Sequence, residues 1–253
     1  MLPANTARIL ETLAPDARVL DVGGWAAPFN RATHVLDFMP YESRGQMGSY
    51  GPGPERFTAD TWVRRDMCDR EPWPFPDDHF DFALCVTTLE DVRDPVWVCR
   101  EMERVARAGY VEVPTLLAEL IYHPGADGGF VGHDHHRWLC DVSGGELVFL
   151  FKPGSLHVDQ RLRVLPRWAE AMTLEDHLQF LFWEGELPAR ERVVLGPEFP
   201  RDELAVRVRA RFRPSRTELA AKEAREGLRR LGGRVRQPAR RAVERGLDRL
   251  AGR

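Results

Sequence analysis

Lysine is nearly missing from this chain, with two residues against 34 arginines among 253. So one-sided a choice reads as codon bias, and arginine abundance alone is then no sign of phosphate recognition. Apolar runs approaching the roughly 18 residues that cross a bilayer are also missing, which argues against a helical membrane span. The opening residues, MLPANTARILETL, lack the basic-then-apolar layout of a secretory signal. The four cysteines, Cys68, Cys85, Cys99 and Cys140, are scattered. They form neither a C-x-x-C pair nor a ladder of short spacings, which argues against a disulfide framework and a zinc ribbon. Reduced thiols in a cytoplasmic protein are expected. No tandem repeat is present.

Charge is plentiful but unevenly placed. The formal net charge is −3, yet 14 basic residues stand against five acidic ones from Arg211 to Arg253, so the acidic excess lies in the body. The expected organisation is a body of residues 1–212 followed by a basic helical tail, 213–253, broken at Gly232-Gly233 and Pro238. Within the body, residues 1–115 form a cofactor-binding half. Residues 116–212 are expected to complete the sheet and build a lid over its carboxyl edge. For the tail, a solvated appendage or oligomer contact competes with an amphipathic pair lying peripherally on an anionic membrane. Nucleic acid fits less well, because no aromatic residue beyond Phe212 offers base stacking.

Through residue 115 short apolar runs alternate with turn signals. ARVLDV (17–22), THVLDF (33–38), TWVRRDM (61–67), FDFALCV (80–86) and GYVEVP (109–114) read as strands. Runs apolar on both faces suit a parallel sheet covered by helices. Between the last two lies DPVWVCREMERVARAG, with Asp94 as N-cap, Pro95 in the first turn and Gly109 as exit. Trp97, Val98, Met102 and Val105 share one face of that helix. Strand, helix, strand is the unit of a doubly wound α/β fold. The other crossovers are unusual. Residues 23–33 have room for little more than one helical turn, and the glycine- and proline-rich stretch 39–61 predicts a mobile loop. Beyond Pro114, HRWLCDV and ELVFLFK flank SGG as a hairpin. TLEDHLQFLFW opens with a capping-box pattern that predicts a helix start. ELAVRVRARF is ambiguous between strand alternation and the helix start in PRDE.

Ligands of open α/β sheets lie beyond the carboxyl ends of the strands. Those ends carry Asp21-Val22-Gly23-Gly24, Asp37, Asp66-Met67 and Thr87-Thr88-Leu89-Glu90. Three acids in succession suit a ligand rich in hydroxyl and amine donors and free of phosphate. Asp37 suits a pair of ribose hydroxyls and Asp66 an exocyclic amine, with Met67 against a base. A dinucleotide would need a helix N-terminus for its pyrophosphate, so an NAD(P)-dependent oxidoreductase ranks below a phosphate-free cofactor. GHDHHRWLCD supplies His133, His135 and His136. On an extended segment the rings point to different sides, so no metal site is expected. His135 and His136, with Glu90, are instead candidate catalytic groups for a hydroxyl acceptor, against a reading of them as structural residues.

VLDVGG, then VLD, then RDMCDREPWPFPDDHFDFALCVTTLEDVRDP, then EMERVARAGYVEVP resemble class I S-adenosylmethionine-dependent methyltransferases, most closely their type 11 group. The resemblance covers about residues 16–115. It implies a doubly wound, Rossmann-like, mostly parallel sheet of about seven strands. It implies S-adenosylmethionine as cofactor, held at Asp21, Gly23, Asp37, Asp66, Met67, Thr87, Thr88 and Leu89, with Gly24 and Trp25 in the same loop. It implies a methyl acceptor that is a small molecule, a sugar or a lipid-linked precursor. The chain departs from the family's glycine loop, which continues acid-x-Gly-x-Gly-x-Gly, by placing Trp25 and Ala27 at the later glycines. It also has Asp91 where relatives carry histidine. A Trp25 ring lying over Gly23 would leave a non-catalytic binding module with the same fold.

Overall fold

The five apolar runs form strands where their pattern predicts them: Val19–Val22 (β1), His34–Asp37 (β2), Trp62–Arg64 (β3), Phe82–Val86 (β4) and Ala108–Pro114 (β5). The computed structural model describes residues 1–125, 129–159, 161–195 and 199–212. The later strands are Tyr122–His123 (β6), Phe130–Val131 (β7), Trp138–Ser143 (β8), Glu146–Phe151 (β9), Leu178–Glu184 (β10) and Ala189–Glu191 (β11). The helices are Pro3–Thr12 (α1), Pro95–Val105 (α2), Pro166–Ala169 (α3), Leu174–His177 (α4) and Arg201–Phe212 (α5).

The main sheet has the order β10-β5-β4-β1-β2-β3 and is parallel except for β10, which runs against β5. This is the Rossmann-like, mostly parallel sheet that the sequence predicts, with six strands in place of about seven. The material between β5 and β10 explains the difference. β8 and β9 form the expected hairpin across Gly144-Gly145 and pair with β11 in a separate three-stranded sheet. Trp138, Cys140, Leu147 and Phe149 of that small sheet share a core with Val98, Cys99 and Met102 of α2 and Val111 and Val113 of β5. It therefore packs against α2 and β5, and the start of β8 is anchored just past the carboxyl end of β4 through the Glu90 carbonyl. On the opposite face Ile9 of α1 packs with Val19, Phe29, Val35, Phe57 and Tyr110.

Local signals decide the helices only where tertiary pairing agrees. Asp94 caps α2 by accepting from the Trp97 N–H, with Pro95 in the first turn. The helix ends at Val105, and Gly109 is a strand residue, not the helix exit. A Cβ there would lie 2.1 Å from the Ala83 carbonyl oxygen and 2.6 Å from the Trp183 indole. The capping box at Thr173 and Asp176 forms, but α4 lasts four residues. From Leu178 onward pairing with all seven residues of β5 takes over, helped by Phe180 and Phe182 against Tyr110. Arg201–Phe212 settles as a helix, with Asp202 and Glu203 in its first turn, where acids suit the helix dipole.

The crossovers around β2 carry no α-helix. The connection 38–61 holds only short 3-10 turns at Tyr41–Ser43 and Ala59–Thr61. It is tied down, contrary to the expectation of a mobile loop. The N–H groups of Gly45, Met47 and Tyr50 donate to the carbonyls of Trp25, Ala26 and Pro28, and Asn30 N–H donates back to Tyr50. No helix among the described residues is long and apolar enough to cross a membrane. All four cysteines are free and buried. Contacts divide the chain into Met1–Val208 and Arg209–Arg253. The expected basic tail, 213–253, lies outside the described residues.

Candidate functional site

β1 delivers Asp21 to the carboxyl edge, and the chain leaves the strand at Gly23, whose φ is +78°. Only glycine adopts that conformation without strain. A Cβ at Gly23 would also fall 2.4 Å from the Thr88 side chain. A Cβ at Gly24 would fall 2.4 Å from Asp21 Oδ2, the oxygen that accepts the Phe29 N–H at 2.8 Å. Asp21 thus holds the loop 23–29 down from beneath. Asp37, at the end of β2, ties the two loops beside it. Its Oδ2 accepts the Trp25 N–H at 3.0 Å and its Oδ1 accepts the Met39 N–H at 2.8 Å.

Trp25 is engaged by the loop 38–61 and packs with the core that holds Tyr41, Tyr50 and Phe57. Its indole N–H reaches the carbonyl and hydroxyl oxygens of Ser43, both at 2.9 Å. The side of Gly23 is filled by Thr88, whose hydroxyl donates to the Val86 carbonyl at 3.1 Å. The structure therefore joins Asp21, Gly23, Gly24, Trp25, Asp37 and Thr88 into one bonded cluster. Both acids are nearly inaccessible, at 3% and 7% exposure. Burial pushes the Asp21 carboxyl up to about 7, with the neighbouring Asp37 adding to the shift against the Phe29 hydrogen bond. Burial likewise raises Asp37, against its backbone hydrogen bonds. A pair of buried carboxyls held back from ionising is a place where a cationic ligand gains.

The remaining expected cofactor residues are less uniform. Asp66 accepts the Cys68 N–H and faces Arg93 at 3.3 Å. Met67 is buried and belongs to the hydrophobic core together with Leu36 and Trp73. Leu89 is wholly buried. Thr87 is exposed with φ +46°. A β-branched residue in left-handed backbone is strained, and such strain gathers at functional edges. Its N–H donates to the Glu112 carbonyl, which fixes the turn to β5.

Beyond that turn lies a second polar cluster. The Glu90 carbonyl accepts the N–H groups of Arg137 and Trp138 at 2.7 and 3.1 Å, anchoring the histidine segment to the exit of β4. The Glu90 side chain is buried with Oε2 unpartnered, and burial pushes its carboxyl well above the ordinary range. Burial therefore makes this carboxyl harder to ionise than a free one. His136 Nδ1 donates to Glu119 Oε1, and its Nε2 lies 3.8 Å from Asp91 Oδ1. Glu119 also receives Lys152 Nζ at 2.8 Å. Burial would raise Glu119, but His136 and Lys152 outweigh it and hold the carboxyl low. Burial and the neighbouring His136 lower His133 to about 4. The three rings do not point to different sides: His133, His135 and His136 have centroids 4.4 to 5.7 Å apart. Glu119 and Lys152 were not read from the sequence. The one available signal was a rare lysine closing the apolar run FLFK.

A cavity of about 330 Å³ lies elsewhere, at the start of α2, lined by Arg93, Arg100, Trp138, Phe149 and Arg190 among others. It includes none of the expected cofactor residues.

The family described as "Methyltransferase domain" matches residues 53–111, which include Asp66, Met67 and the turn Thr87–Glu90. No curated protein matches the chain. Among solved structures it is similar to a SAM-dependent methyltransferase from Aquifex aeolicus, at 16% identity over 44% of this chain and 65% of that one, TM-score 0.31. Another is a SAM-dependent methyltransferase from Thermotoga maritima, at 21% identity over 46% and 52%, TM-score 0.29. A third is an arsenic(III) S-adenosylmethionine methyltransferase from Chlamydomonas reinhardtii, at 13% identity over 46% and 50%, TM-score 0.30. The chain spans about half the length of the solved structures it matches. The matched segment is similar to the methyltransferase-domain family over residues 53–111 and lies within the mostly parallel sheet.

Proposed function

We propose that this chain, with its class I methyltransferase resemblance, binds S-adenosylmethionine at the carboxyl edge of β1, β2 and β4 and passes its methyl group to a small-molecule, sugar or lipid-linked acceptor. The observation that carries this reading is the pair of buried acids under the glycine turn, Asp21 and Asp37, in a crossover without a helix. Two raised carboxyls favour a cation, and the missing helix N-terminus removes the usual pyrophosphate site. A nicotinamide dinucleotide fits this edge poorly on both counts.

The residues present fit the cofactor in kind. Each Asp37 oxygen already takes one backbone N–H and keeps a lone pair for a ribose hydroxyl. Asp21 and the loop 23–25 would face the amino-acid arm, and Asp66 an exocyclic amine. When bound, the cofactor supplies a methyl group already activated on sulfonium. The chain's own task is then mainly to position the acceptor in line and exclude water. On the acceptor side, His135 and His136 are the candidate groups for a hydroxyl proton. Glu90 stands beside them as a further candidate, and its backbone carbonyl anchors the segment that carries them.

The competing reading is a binding module with the fold and no turnover. Thr88, packed against Gly23, favours it, because that side chain narrows the space over the loop. Release of S-adenosylhomocysteine in the presence of fractionated metabolites separates the two. Turnover with any fraction supports methyl transfer. Tight cofactor binding without turnover in any fraction supports the module.

A further inference from the structure

We propose that His133, His135 and His136 bind a divalent metal ion of the zinc class, with Asp91 as fourth ligand and Glu119 locking the ring of His136 from behind. One ligand atom from each histidine lies within 4.8 Å of the others. Ligands of a tetrahedral zinc ion, with bonds of about 2.0–2.1 Å, sit roughly 3.3 Å apart. The rings of His133 and His136 are 4.4 Å apart, and the widest pair, His133 and His135, is 5.7 Å apart. The His135 side chain is 64% exposed, so the ring that must swing inward is the one free to do so.

Three further features fit a metal. Glu119 accepts from His136 Nδ1, which leaves the Nε2 lone pair bare. A carboxylate behind a ligating histidine is the usual outer partner of a metal site. On the bare side stands Asp91, whose Oδ1 is buried without a hydrogen-bond partner, 3.8 Å from Nε2. That spacing is close to the edge of a coordination tetrahedron. The segment is also held before any ion arrives. Arg137 and Trp138 bond to Glu90, and Lys152 Nζ donates to the His133 carbonyl at 2.6 Å and to Glu119. A buried network of Lys152, Glu119 and His136 alone would explain the satisfied groups. It would not explain why His133 and His135 gather beside them, or why Asp91 Oδ1 has no hydrogen-bond partner.

Imidazole with one carboxylate suits zinc, cobalt or nickel over calcium or magnesium, which take oxygen ligands. Four protein ligands make a closed site. Its role here is to clamp the histidine segment to the exit of β4; a loaded site takes the ligating nitrogens of His135 and His136 out of proton transfer and leaves methyl transfer to positioning of the acceptor.

The test uses the full chain, stripped with a chelator and titrated with zinc alone and with cobalt alone. One equivalent of zinc is expected per chain, with a rise in thermal midpoint because the ion binds the folded form. Cobalt is expected to give the strong visible bands of a tetrahedral site, lost on adding zinc. His135→Ala removes an exposed side chain and leaves the fold intact; its zinc affinity is expected to fall at least about tenfold. Glu119→Gln is expected to weaken zinc by roughly 10–100-fold while the cobalt bands persist. Equal zinc affinity in the wild type and His135→Ala overturns the proposal. So does a wild-type chain that binds no zinc.

Discussion

Replacing Asp21 by asparagine separates what this carboxyl does to stability from what it does for binding. The folded carboxyl titrates near 7, against 3.8 for the free group. Below pH 3.8 both states are protonated and the group is neutral to stability. As pH rises, the unfolded chain ionises first, so stability falls until the folded carboxyl ionises near 7. Above that the loss is constant, at about 4 kcal/mol for a shift of this size. Asparagine copies the neutral form and keeps an oxygen for the Phe29 N–H. Asp21→Asn should therefore be the more stable protein at pH 8, by up to about 4 kcal/mol. At pH 5 the gain should be smaller by about 2–3 kcal/mol. Urea unfolding of both proteins at the two pH values measures the difference directly, and subtracting the wild type removes the other acids to first order. The same variant should bind S-adenosylhomocysteine and S-adenosylmethionine more weakly, most of all the cationic donor. An Asp21→Asn protein no more stable than wild type at pH 8, or equally affected at both pH values, would refute a carboxyl that burial holds back from ionising.

Other substitutions test the neighbouring parts. Gly23→Ala combines a positive φ with a clash against Thr88 and should cost at least about 1–3 kcal/mol, read as a lowered urea midpoint. Trp25→Phe removes the indole bonds to Ser43. It should cost about 1 kcal/mol yet leave cofactor affinity nearly unchanged, because the lost bonds go to Ser43 and the Trp25 N–H still reaches Asp37. Lys152→Met leaves the Glu119 carboxylate buried with one partner fewer and should destabilise by roughly 3–5 kcal/mol in chemical unfolding. Gly109→Ala meets the Ala83 carbonyl and the Trp183 ring. It should lower the thermal midpoint by more than alanine at an exposed position such as Thr58.

The strands of the cofactor half were legible because each is a short apolar run closed by a turn residue, and α2 was legible from Asp94 and Pro95. The second half was less so. α4 begins with a genuine capping box, and only the pairing of β10 with β5, more than sixty residues away, explains why the helix stops at His177. Gly109 carries the same letter as a helix exit, while its reason is a tryptophan that arrives from residue 183. In the site, Asp21, Asp37 and the glycine turn could be placed by position along the strands. The direction of Trp25 depends on Ser43, in a loop whose composition suggested mobility and whose backbone is instead bonded to the first loop. The convergence of three histidines was hidden for a similar reason. Alternation along an extended segment spreads side chains, but this segment is bent and anchored by Glu90 and Lys152.

The central claim is a phosphate-free, cationic cofactor site built on Asp21 and Asp37, and calorimetric titration of the full chain at pH 8 tests it most directly. The expected result is saturable binding of S-adenosylhomocysteine at one site, lost in Asp37→Ala and not reproduced by NAD or NADP. No heat and no thermal shift at millimolar S-adenosylhomocysteine, or unchanged affinity in Asp37→Ala, would contradict it.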